Sequence, residues 1–179
     1  MAAAVHEIQF LAKEPRLAPA FSEVVAYFSE RPGYRVDEAS GRSGLVAYAN
    51  EDTGVSLSFR ASTEPPVVVS LLVPYLKPHI FGLEAEREAH ALAARFDFDV
   101  IDPHAEGMGR GPYSSDGMLR GYAIANAAEH AKHEALERGE MFVLPSGTLT
   151  NAWRWNIQRA ALQRALGEHA FVPKVITVA

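Results

Sequence analysis

Residues 101–117, IDPHAEGMGRGPYSSDG, gather acids, a histidine, an arginine, a tyrosine and two serines between four glycines. The glycines at 107, 109 and 111 follow a predicted strand and precede a predicted helix, which is where phosphate-binding loops sit. A dinucleotide fingerprint needs its third glycine three residues after the second, in the turn that opens the helix. That position is Pro112, and the predicted helix starts later. A P-loop needs Gly-Lys-Ser/Thr, and the nearby basic residue is Arg110. Neither fingerprint is complete, so no nucleotide or other cofactor is expected.

The same loop holds the residue types of acid–base and nucleophilic chemistry: Asp102, His104, Glu106, Tyr113, Ser114, Ser115 and Asp116. A serine relay requires a base oriented by a third group, a geometry that spacing alone does not establish. No GxSxG elbow is present, and Ser146 in LPSGT has the flanks of a turn. In EHAKHEALERGE the order around His130, His133 and Glu134 is H-x-x-H-E, not the zinc-protease H-E-x-x-H. Its alternating charges suit a solvated helix end, so no metal ligand and no catalytic residue is assigned.

The composition narrows the classes further. The 179 residues suffice for one domain with a sizeable core. Cysteine is absent, which removes disulfides, thiol catalysis and Cys-ligated zinc, and suits a reducing cytoplasm. Net charge is -5 with both signs interspersed, so the basic footprint of a nucleic-acid binder is missing and a basic protein partner fits better. The N-terminal stretch has no basic leader followed by an apolar run, and VVVSLLVPYL is half a membrane span at most. The expected localisation is cytoplasmic, with no membrane contact.

The elements that must position the loop follow from periodicity. Strands are predicted at 5–11, 34–38, 44–50, 55–61 and 67–73, at FDFDVI and MFVL, and at FVPKVITV near an edge. Helices are predicted at 19–30, with Pro19 in the first turn, and at 83–95, 116–138 and 151–166. PSGTLT reads as a turn, and Ser115 or Asp116 as the cap of the third helix. Phe21, Val24, Val25, Phe28, Val55, Leu57, Phe59, Val69 and Leu71 are expected to share a core. On the fourth helix one of Trp153 and Trp155 should enter it with Ile157, Ala160 and Ala161. The fold class is α+β, a single domain over residues 1–179, with a mixed, largely antiparallel sheet and helices packed against it.

The segments PYLKPHIFGLEAE (74–86) and GMGRGPYSSDGMLRGYAIANAA (107–128) resemble bacterial proteins encoded beside polymorphic toxins as their immunity partners. The resemblance covers about the second half of the chain and implies a non-enzymatic cytoplasmic protein that binds and blocks a toxin domain, often a nuclease. On this reading the loop is the partner-binding surface. Asp102, Glu106 and Asp116 would meet basic groups, Tyr113 would anchor, and His104 and Arg110 would lie beside them. The alternatives are a small hydrolase that uses the 102–116 loop, or an adaptor subunit of a larger assembly.

Overall fold

The computed structural model describes residues 5–38, 43–63, 67–104, 106–132 and 144–176. Strand β1 (Val5–Ala12) is followed by α1 (Phe21–Ser29) and a meander of β2 (Tyr34–Glu38), β3 (Ser43–Asn50), β4 (Val55–Ser62) and β5 (Val67–Pro74). Helix α2 (Ile80–Phe96) leads to β6 (Phe98–Ile101), β7 (Arg110–Pro112), α3 (Ser115–Ala131) and α4 (Ser146–Leu166). The strands form one seven-stranded sheet in the order β2-β3-β4-β5-β1-β6-β7.

The meander folds locally because its successive strands lie only a few residues apart in the chain. Asn50 Oδ1 holds the turn after β3 by accepting from the Asp52 and Thr53 amides at 3.0 and 3.4 Å. The return from β5 to β1 is long-range, and it makes β1 a central strand. Every neighbouring pair of described strands is antiparallel, a correction to the mixed sheet expected from the alternating second half. The reason lies in β1. It occupies the slot between β5 and β6, so the strands that α2 connects lie parallel to each other without pairing.

Period-two alternation gives the sheet one buried face. Across the register Ile8, Leu71, Phe59 and Val46 lie side by side, and all are buried. Helix α1 adds Val24 and Phe28, and α2 adds Ala85, Ala89 and Leu92 to the same core. Of the expected core set, Phe21 packs at its border and Val25 is half-buried. The opposite face carries Gln9, Ser58, Arg60 and Ala47, the pattern of a sheet with one solvated side.

Several boundaries differ from the sequence reading. Pro19 precedes α1 rather than opening it; Ala20 is the cap residue, and Glu23 accepts its amide at 2.8 Å. Helix α2 starts three residues early, and its end at the left-handed Asp97 shortens the next strand to 98–101. PSGTLT is no turn beyond Pro145, because α4 begins at Ser146. Residues 171–176 form no strand; they run back along α4. Helix α3 is described to Ala131, and His133, Glu134, the rest of the predicted helix and most of MFVL lie outside the described residues.

Helix α4 attaches by polar contacts. Asn156 is its buried residue, and neither tryptophan enters the core. Trp153 Nε1 donates to Glu84 Oε2 at 2.9 Å, while Trp155 Nε1 donates to the Pro173 carbonyl at 2.7 Å. Ala160 and Ala161 are exposed. Asn156, Arg159 and Gln163 lie on one stripe and bind the backbone of the returning tail at Val172 and Val175.

Candidate functional site

The loop that joins β6 to β7 is built around Asp102, which follows the last residue of β6 and is 3% exposed. Its amide donates to the Gly109 carbonyl at 2.7 Å, and its Oδ1 and Oδ2 accept from the His104 and Met108 amides, both at 3.1 Å. The Gly107 amide closes the turn on His104 O at 2.9 Å. Helix α3 presses on the loop from outside: a Cβ on Gly121 would stand 2.9 Å from Gly107 Cα and 3.2 Å from Asp102 Oδ2. Only glycine lets helix and loop approach this closely.

Beneath the loop lies a histidine that the loop sequence does not announce. His6 shares the buried stripe of β1 with Ile8 and Phe10 and is fully buried. Its Nε2 stands 3.4 Å from Asp102 Oδ1, with both side chains wholly inaccessible, and makes no hydrogen bond. The His104 ring stacks on it at 4.3 Å between centroids. The Tyr75 hydroxyl meets His104 Nε2 at 2.6 Å and His6 Nδ1 at 3.4 Å. One potential ligand atom each from His6, Asp102 and His104 lies within 4.8 Å of the others. A cavity of about 290 Å³, lined in part by Tyr75, His104, Glu106, Glu129 and Lys132, opens beside them.

The electrostatics follow from these contacts. Burial pushes the Asp102 carboxyl up, but the adjacent His6 ring and the hydrogen bonds from the His104 and Met108 amides outweigh it and leave the carboxyl below its ordinary value. Burial, with His6 adjacent, holds His104 below the ordinary imidazole value. Tyr75 is pushed up to about 12, first by burial and then by the Asp102 and Glu129 charges.

The residues expected to meet a partner divide into two groups. Asp102 is buried, which takes it out of any contact surface; His104 is half-buried against His6 and Tyr75. Tyr113 is turned inward as well: its hydroxyl donates to Glu86 of α2 at 3.2 Å, and its ring packs at the core border. That corrects its role as a projecting anchor. Glu106, Arg110 and Asp116 are exposed. The cap of α3 is Ser114, whose hydroxyl accepts from Gly117 N at 3.2 Å, rather than Ser115 or Asp116. A serine relay does not form here. His104 Nε2 is taken by Tyr75, Ser114 caps α3, and Ser115 lies with Tyr113.

The sequence reading missed His6 and Tyr75. A histidine at an inward position of an otherwise apolar strand was the available signal, and its partner stands 96 residues away in the chain (102 − 6).

Compared with protein-family models, with curated proteins and with solved structures, the chain matches none.

Proposed function

We propose that the chain is a protein-binding module of the immunity type, which docks on a toxin domain through the 102–116 loop and neutralises it. The observation that carries this reading is the loop's internal bonding. Its backbone is tied to Asp102 from within, and Arg120 Nε grips the Glu106 carbonyl at 2.8 Å from outside. A loop ordered before binding avoids the cost of ordering it, about 0.5–1.5 kcal/mol for each side chain immobilised. Exposed Glu106, Arg110 and Asp116 then form a polar rim on a chain of net charge -5. Such a rim steers a basic partner and sets the association rate more than the lifetime of the complex. No helix among the described residues is long and apolar enough to cross a membrane. A cytoplasmic location is part of the same proposal.

The test is calorimetric titration of the full chain with the toxin domain encoded by the adjacent gene, alongside a toxicity assay in cells. A stoichiometric complex that abolishes toxicity is expected. Glu106→Lys and Asp116→Lys should slow association, with the effect shrinking as salt is raised. Absence of a complex, together with unrelieved toxicity, overturns the reading.

The cavity beside His104 favours a second reading, a small hydrolase, in which an activated water rather than a serine would attack. Turnover of model esters or phosphoesters that disappears in His104→Ala would support it.

A further inference from the structure

The geometry points to a divalent transition-metal site, of the kind zinc takes, formed by His6 Nε2, Asp102 Oδ1 and His104 beneath the 102–109 loop. This inference is independent of what the loop binds.

The first support is the unpartnered nitrogen. His6 Nε2 is fully buried and aimed at Asp102 Oδ1, yet no hydrogen bond satisfies it. A buried polar atom left this way keeps its full desolvation penalty, so a native core needs a reason for it. The 3.4 Å separation is long for an N–H···O bond, which spans about 2.7–3.2 Å. It matches two ligands of one tetrahedral ion: metal bonds of about 2.1 Å place neighbouring donors about 3.4 Å apart.

The second support is a histidine tautomer that the Tyr75 hydroxyl can hold. The hydroxyl oxygen stands before His104 Nε2 and His6 Nδ1 together. When that oxygen accepts from His104, whose Nε2 is 2.6 Å away, His104 Nδ1 is left with a lone pair. A remote ring N–H held by an oxygen is how metal-bound histidines are oriented and made more basic. Asp102 is prepared in the same manner, since each carboxylate oxygen takes one backbone amide and keeps capacity for another contact.

Two imidazoles and one carboxylate suit zinc and its neighbours better than calcium or magnesium, which demand more oxygen ligands. Of the three ligands, His104 lines the adjoining cavity, the side from which a fourth ligand would have to come. Glu106 and Glu129 are the acids that line that cavity among the described residues.

The experiment uses the full chain, stripped of metal with a chelator and titrated with zinc chloride and then cobalt chloride. One equivalent should bind, the melting temperature should rise by several degrees, and cobalt should give visible absorption bands of four- or five-coordinate N/O ligation. His6→Gln and His104→Gln should each weaken zinc binding by at least tenfold, while His90→Gln on the surface of α2 should leave it unchanged. If His6→Gln fails to fold, the wild-type protein still decides the matter by imidazole nitrogen NMR, in which His6 and His104 must shift on adding zinc. Absence of zinc binding by the folded protein, unmoved His6 and His104 signals, or equal loss in His90→Gln overturns the proposal.

Discussion

Asp102 carries more of this structure than any exposed acid could. It joins the end of β6 to the loop amides and faces His6 from the neighbouring strand. Asp102→Ala leaves two partly buried loop amides without acceptors, and an orphaned donor costs about 1–3 kcal/mol where water does not reach it. The expected loss in metal-free buffer is therefore about 2–4 kcal/mol by urea melts, with faster amide exchange at His104 and Met108. A loss under 0.5 kcal/mol would mean that those two hydrogen bonds are not formed in solution. Glu106, Arg110 and Asp116 differ from Asp102 in kind, because exposed charges mainly affect association and solubility.

At the scale of elements, the sheet supplies stability and the helix junctions supply sensitivity to conditions. Leu57 sits on the inward stripe of β4 and is 3% exposed. Leu57→Ala should cost about 2–5 kcal/mol in denaturant melts, as buried leucines do. His79 stands where α2 begins, and its Nε2 meets Thr150 Oγ1 of α4 at 2.7 Å. Burial holds His79 below its ordinary value of 6.5, so protons favour the unfolded chain, where the ring is free to charge. Stability from this residue is complete above about pH 6.5 and is lost as pH falls from there through the folded-state value. Melting temperatures measured from pH 8 to pH 5 should fall on the acid side. In His79→Gln, which can keep a hydrogen bond to Thr150, the fall should be shallower. Equal slopes in the two proteins would remove His79 as the cause.

The whole molecule is a core sheet layer to which α4 and its returning tail are tied at a few polar points. Glu84 is the central one. It is fully buried on α2, and Tyr48 and Asn50 donate to Oε1 at 2.6 and 2.7 Å while Trp153 donates to Oε2. Arg159 pairs with Asp52 at 2.7 Å, and Lys174 reaches the Glu51 carbonyl, so the tip between β3 and β4 holds the far side. Glu84→Ala would orphan three donors from two elements, β3 and α4, at once. We expect a loss of about 3 kcal/mol or more, with the Trp153 emission shifted to the red as α4 loosens. A melt and emission spectrum like those of the unmodified protein would show that α4 is held elsewhere.

The sequence by itself determined what depends on local periodicity and composition. Alternation marked β4, a run apolar on both faces marked β5, and i, i+3, i+4, i+7 spacing marked α1, because each pattern records which faces of one element meet water. The loop with its acids, glycines and histidine was legible too, as a place where side chains could act. Helix α4 was legible only in part: its contacts are polar and its apolar stripe is weak, so its start read as a turn. The three-residue β7 was missed because a Gly-flanked Arg110–Pro112 has no periodicity to read. What only the tertiary structure decided is the direction each loop residue faces and what lies beneath it. Antiparallel pairing sets β1 beside β6, which brings His6 under Asp102 and turns an acid read as exposed into the buried centre of the site. No spacing rule within the loop encodes that contact, because the register between two strands distant in sequence creates it.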